Sequence, residues 1–168
     1  MGIFSFIKEA GEKLFGIGEA KAAEVVAKAD SSPVNVDAAN KAAAKAIADY
    51  VAKMGLTAEG LDIGFDAASG TVTVQGMADT QETKEKILLC CGNVQGVENV
   101  QDQLGVIQAE AEPQFYTVVS GDTLSKIAKH YYENANAYMG IFEANKPMLS
   151  HPDKIYPGQM LRIPPQQI

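Results

Sequence analysis

Val72-Thr73-Val74-Gln75-Gly76, then Thr80-Gln81-Glu82-Thr83 opening a Glu/Lys-rich run through Lys84-Glu85-Lys86-Ile87-Leu88 to Cys91, then Gly92-Asn93-Val94-Gln95-Gly96-Val97-Glu98-Asn99-Val100: this stretch decides the fold. Val72 and Val74 alternate at the two-residue period of a strand, whereas Ile87, Leu88 and Cys91 stand at helical spacing. The helix is expected from about Thr80 and should end at Gly92-Asn93, where glycine tolerates the left-handed conformation that closes a helix. Beyond Gly96, the residues Val97, Val100, Leu104, Val106 and Ile107 favour another strand.

Upstream, Leu61, Ile63 and Phe65 also alternate, and Asp66-Ala67-Ala68-Ser69-Gly70 supplies a turn, so 61–66 and 71–77 read as a hairpin. Asp37 is placed to cap a helix through about Lys53 with Ala43, Ile47, Tyr50 and Val51 on one face and Gly55 as its stop. Nearer the start, Ile3, Phe6, Ile7, Ala10 and Leu14 form a helical stripe, with Lys8, Glu9, Glu12 and Lys13 largely off it. A short amphipathic helix over 2–15 is therefore expected. Such a stripe most simply docks on the protein's own core; a membrane-surface helix would carry a more strongly basic face. Residues 16–36 read as an Ala-rich connector ending in the breaker cluster Asp30-Ser31-Ser32-Pro33.

Downstream of a polar Gln108–Gln114 linker, Tyr116-Thr117-Val118-Val119-Ser120-Gly121-Asp122-Thr123-Leu124-Ser125-Lys126-Ile127-Ala128 passes from strand to turn to capped helix. Leu124, Ile127 and Ala128 should pack inward, and Pro157-Gly158 should turn the chain into a closing strand. The division expected is 1–36 amphipathic segment and connector, 37–107 first domain, 108–114 linker and 115–165 second domain. The fold class is α+β.

The chain has 168 residues, 46% of them apolar, and a net charge of −7. That charge repels phosphate backbones, so no nucleic-acid partner is expected. Residues 1–113 hold 9 basic against 17 acidic side chains and residues 114–168 hold 5 against 4, which again suggests two domains. The opening residues meet Lys8-Glu9 too soon for a secretory signal, and no run reaches the length of a membrane span. A cytoplasmic monomer is the expectation. No hydrolase elbow, zinc-protease motif or phosphate loop is present, and His130 and His151 lie far apart, so no enzyme activity is expected. Cys90 and Cys91 are adjacent, a poor spacing for a mutual disulfide, and read as core and near-core thiols. His130 should end a helix, where the dipole favours it.

One non-catalytic site follows from helix physics. The last carbonyls of a helix lack partners and lie at its negative end. Two such ends are expected, at Ile7 to Ala10 and at Cys91-Gly92 with its Gly-punctuated loop to Val97; together they would suit a large monovalent cation. Spacing alone does not establish this site, and Gly92 and Gly96 read first as ordinary turn glycines.

Residues 37–107, in the order helix, strand, strand, helix, strand, resemble a BON domain (αββαβ). Residues 115–165, with Ile141-Phe142-Glu143-Ala144-Asn145-Lys146-Pro147 and Ile155-Tyr156-Pro157-Gly158-Gln159-Met160-Leu161-Arg162-Ile163-Pro164, resemble a LysM domain (βααβ). The whole order, with Met1-Gly2-Ile3-Phe4 and Gln114-Phe115-Tyr116-Thr117-Val118, resembles a family of bacterial cytoplasmic potassium-binding proteins of BON–LysM plan. That resemblance implies a K⁺ site of main-chain carbonyls at Ile7, Lys8, Ala10, Gly92, Val94 and Val97, with Rb⁺ or Cs⁺ as substitutes. It implies a protein that compacts on binding K⁺ and serves as an ion sensor or in stress response. The rival reading is a module for peptidoglycan-type, N-acetylglucosamine-containing glycan, which LysM domains commonly hold; here the groove would involve Gly121, Asp122, Thr123, Leu124, Asn145, Pro147, Ile155 and Tyr156.

Overall fold

A computed structural model describes residues 2–5, 33–110 and 113–166. Its elements are β1 (Gly2–Ser5), α1 (Pro33–Lys53), β2 (Glu59–Asp66), β3 (Thr71–Thr80), α2 (Gln81–Gly92), β4 (Asn99–Gln108), β5 (Gln114–Thr117), α3 (Leu124–Tyr132), a 3₁₀ turn at Ala135–Ala137, α4 (Tyr138–Ala144) and β6 (Met160–Ile163). The first sheet has the order β1-β4-β3-β2 and the second pairs β5 with β6.

The N-terminal segment departs from the helical expectation where it is described. Gly2–Ser5 is a strand, antiparallel to β4, with Gly2 opposite Asp102 and Ser5 opposite Asn99. Without β1, that edge of β4 would present a row of unpaired N–H and C=O groups, and a β-branched Ile3 beside an aromatic Phe4 suits the pleat better than a first helical turn would. The rest of the expected helix, from Phe6 on, and the connector to Ser32 lie outside the described residues.

Helix α1 starts at Pro33, four residues before the expected cap, because proline's fixed φ and missing N–H fit a first helical position. Asp37 instead sits inside the helix and pairs with Lys41 at 2.7 Å. Ala43, Ile47, Tyr50 and Val51 are buried, and Gly55 ends the helix region at φ 72°. The hairpin runs longer than its alternating core: Ile63, Phe65, Val72 and Val74 point inward, while the ends reach Glu59 and Thr80. Asp66 braces the turn, accepting from Ala68 N at 3.2 Å and Ser69 Oγ at 2.6 Å.

Thr80 caps α2, its side chain accepting from Thr83 N at 3.1 Å. Lys84 then ties the helix to the sheet, donating to Leu104 O at 2.8 Å and pairing with Asp102 at 2.9 Å. Helix α2 crosses from β3 to the parallel strand β4, in register from Thr71 opposite Asn99 to Thr80 opposite Gln108. Both Cys90 and Cys91 are free and buried in this first core.

The second unit has its own core of Val118, Leu124, Ile127, Ala128, Ile141, Phe142, Leu149, Leu161 and Ile163. Thr123 caps α3 through Lys126 N at 3.2 Å, and Lys129 and His130 occupy its last turn, where the dipole favours cations. Met148 packs against both cores.

Gly76 shows why one strand position admits a single residue type. Its φ is +139°, the β2 register shifts opposite it between Glu59 and Asp62, and an added Cβ would meet Glu59 O at 2.9 Å. Gly76→Ala is expected to destabilise the protein by about 1–3 kcal/mol. A urea midpoint equal to that of the wild type would show that the bulge yields freely.

Candidate functional site

The stretch Gly92–Val97 leaves the C-terminal end of α2, and every residue in it is buried. No basic side chain occupies the last turn of the helix, so its negative end is not neutralised locally. The helix closes differently from expectation. Asn93 takes the C-cap position at φ −83°, its N–H donating to Leu89 O, and the left-handed residue is Gly96 at φ 96°. A turn follows in which Val97 N donates to Val94 O at 3.1 Å, and the positive φ of Gly96 at its third residue is that of a type II turn.

Two features of this loop suit a cation. Among the described residues, no main-chain hydrogen bond outside helices and strands ends on the carbonyls of Gly92 or Val97. The Val94 carbonyl uses one of its two lone pairs. Beside them the buried Gln95 Oε1 has no hydrogen-bond partner among the described residues, a costly arrangement unless something positive faces it. Neutral oxygen dipoles of this kind match a large monovalent ion, whereas a divalent ion would call for carboxylates. Among the described residues, no group of three or more His, Cys, Asp or Glu side chains gathers elsewhere.

Of the six expected carbonyl positions, the structure brings Gly92, Val94 and Val97 into one loop. Ile7, Lys8 and Ala10 lie outside the described residues. Strand β1 nevertheless fixes where the chain departs towards them: Ser5 pairs with Asn99, two residues beyond Val97, and its Oγ lies 3.3 Å from Asn99 Oδ1.

The loop is also held from the other side, by the second unit. The Asn93 side chain accepts from Met160 N at 3.0 Å and donates to Met160 O at 3.0 Å, reproducing a strand-like pair across the two cores. About two turns up α2, Glu85 forms a buried ion pair with Arg162 of β6, while its other oxygen accepts from Gln81 Nε2 at 2.6 Å. Phe4 of β1 meets Phe115 of β5 edge to face, with ring centroids 5.3 Å apart. These contacts went unread in the sequence, yet two signals were present. Glu85 is a carboxylate on the stripe of Leu88, Leu89 and Gly92, and Arg162 is the only arginine in the chain, set in an otherwise apolar strand.

The residues expected to line a glycan groove divide in two. Asp122 accepts from Val119 N at 2.9 Å and Tyr116 OH at 2.7 Å, and that hydrogen bond pushes the Tyr116 hydroxyl up to about 12. Thr123 is committed to its cap, Leu124 is core, and Gly121, at φ 90°, is exposed with its carbonyl bonded by Lys126. Asn145 is buried with both amide hydrogens and its oxygen engaged: it donates to Ile141 O at 2.7 Å and Arg162 O at 2.8 Å and accepts from Arg162 N at 2.8 Å. Ile155 packs against the second core. Pro147 lines a crevice shared with Leu56, Lys86, Leu89 and Cys90 of the first unit. The Tyr156 hydroxyl is buried, its acidity lowered first by desolvation and then by Cys90 of α2. The helix–strand side of the groove is thus partly turned towards α2, with Ile155 and Tyr156 half-buried and Pro147 still exposed.

Replacing Arg162 alone by Met would leave the Glu85 carboxylate buried without its guanidinium, at an expected cost of about 3–5 kcal/mol. Changing both residues to Met should recover most of that in chemical denaturation; no recovery would mean that the pair is not the chief contact of Arg162. Burial also pushes the Cys90 thiol up to about 12, with Lys86 opposing, and Cys91 well above the ordinary range. Unfolded thiols release their protons from about pH 8.5, so this contribution to stability is complete below that pH and is lost as pH rises towards 12. Urea midpoints are expected to fall between about pH 8.5 and 11, and to fall less steeply in Cys90→Ala.

A BON domain family model matches residues 39–108 and a LysM domain family model matches residues 116–164. The chain is 44% identical over 164 residues to the Potassium binding protein Kbp of Escherichia coli O6:H1 (strain CFT073), a match covering 98% of this chain and 99% of that protein. It is 36% identical over 108 residues to an uncharacterized protein of Deinococcus radiodurans, covering 58% of this chain and 42% of the relative. Similarity that runs nearly from end to end, with both domains in the same order, means that this chain belongs to the BON–LysM family that includes the Potassium binding protein Kbp.

Proposed function

We propose that this protein binds K⁺ at the Gly92–Val97 loop, through main-chain carbonyls of Gly92, Val94 and Val97 and of Ile7, Lys8 and Ala10. The observation that carries the reading is the pairing of β1 with β4. Ser5 lies opposite Asn99, and Ile7 follows two residues later, a chain reach of roughly 7 Å, so the first segment leaves the sheet beside the loop. The end-to-end likeness to a protein named for binding potassium supports the same conclusion.

The ion would draw the first segment onto the loop and stabilise the docked arrangement of both domains by mass action, so that K⁺ concentration sets compaction. That is the behaviour of a cytoplasmic ion sensor, and Rb⁺ or Cs⁺ should substitute because carbonyl dipoles replace the hydration shell of any large monovalent ion. The glycan reading is less well supported, because the Asn145 amide is already engaged by Ile141 and Arg162 and the Tyr156 hydroxyl is buried near Cys90 of α2.

Calorimetry and small-angle scattering in KCl and in NaCl at equal ionic strength test the proposal. K⁺ is expected to give a binding isotherm and a smaller radius of gyration, with Na⁺ giving neither. Identical behaviour in the two salts would overturn it, and retention on peptidoglycan in either salt would favour the glycan module.

A further inference from the structure

We infer that Asn93 is a positioning residue for the ion loop, through which docking of the C-terminal LysM unit sets the affinity of the site; the inference rests on the K⁺ reading above. Asn93 stands between two of the carbonyls assigned to the ion, those of Gly92 and Val94. It is almost fully buried, and both ends of its side-chain amide are held by one residue 67 positions away. Accepting from Met160 N and donating to Met160 O, the amide is fixed in position and in rotation, which a single hydrogen bond would not achieve. Its Nδ2 also lies 3.3 Å from Met148 Sδ, in the residue that packs against both cores.

The consequence runs through covalent geometry. Gly92 has no side chain to fix its own peptide plane, and the aim of its carbonyl depends on the Asn93 backbone to which that peptide is joined. Clamping the Asn93 side chain therefore limits the directions in which the Gly92 and Val94 oxygens can point. Met160 is in turn a rigid clamp, because it opens β6, paired with Thr117 of β5, and Arg162 two residues on is locked to Glu85 of the same helix. A loop whose oxygens are already aimed loses less freedom on taking the ion. Coupling of this kind is reciprocal: K⁺ must tighten the Met160 clasp by the same factor by which the clasp tightens K⁺ binding.

The test compares the wild-type full chain with Asn93→Ala and Asn93→Asp, the latter retaining an acceptor for Met160 N but setting a carboxylate against Met160 O. Both variants are expected to bind K⁺ at least about tenfold more weakly by calorimetry, and the extra thermal stability that KCl gives over NaCl should shrink. A merely structural role would lower the midpoint equally in both salts and leave K⁺ affinity within twofold of wild type, which would overturn the inference alone. Amide hydrogen exchange in the unaltered chain gives a reading that does not depend on the variants folding. Exchange at Met160 should slow on K⁺ addition, and unchanged exchange with K⁺ bound would overturn the inference. Failure of the wild type to bind K⁺ at all would overturn the proposed function and this inference with it.

Discussion

The hydrogen-bonding demand of β4 organises the molecule. Lying second in the sheet, it must satisfy main-chain groups on two sides, and it does so with strands of opposite direction and very different origin. Parallel β3 comes from the same compact unit through the α2 crossover; antiparallel β1 comes from the first residues of the chain. A buried backbone donor or acceptor left without a partner costs as much as a lost hydrogen bond, so the second edge attracts any segment that can extend. The N-terminal segment meets that demand, and its strand character has more to do with the open edge of β4 than with its own periodicity. Once it is docked, Phe4 packs on the first core and meets Phe115 of β5 in the second unit.

Helix α2 makes the second set of connections. One face supplies Ile87, Leu88, Cys90 and Cys91 to the first core, while Glu85 and the C-cap Asn93 reach the second. The two contacts have different physical characters. The Glu85–Arg162 pair takes two charges out of water, so its net gain is small unless its geometry and added hydrogen bonds are good; the Gln81 amide supplies one such bond. Arginine suits this place because its guanidinium stays ionised when buried and its donors are fixed in a plane. The Asn93 clasp is neutral and is valuable for direction rather than strength. The helix thereby links the C-terminal unit to the oxygen-lined loop at its own negative end.

Most local chemistry was legible in the sequence, the start of α1 at Pro33 rather than at Asp37 being the exception. Turn and cap residues such as Thr80, Thr123, Gly55 and Asp66, and the alternation of Ile63, Phe65, Val72 and Val74, all specify what is found. Errors arose where a partner distant in sequence decided the outcome. Ile3 fits a helical stripe with Phe6, Ile7, Ala10 and Leu14, but over Gly2–Ser5 a free strand edge outweighs that periodicity. The helix does end at Gly92-Asn93 as expected, but the positive φ expected of Gly92 is found four residues later, in the turn at Gly96. The carbonyl loop could be suspected from helix physics, and three of its positions fall together. Asn93, Glu85 and Arg162 could be read only as anomalies, because nothing local says which surface a buried polar side chain will meet.

The separation between Ser5 and Asn99 carries a consequence for biosynthesis. Synthesis proceeds from the N-terminus, so the four residues of β1 leave the ribosome well before β4 and have no partner until Asn99 to Asp102 have followed them. Until then that strand is unpaired, and the helix–strand–strand–helix portion must assemble without it. The edge it will occupy is created last, when β4 joins β3. Closure of the first sheet thus waits on β4, and a nascent chain truncated before residue 99 lacks the surface on which β1 is meant to settle.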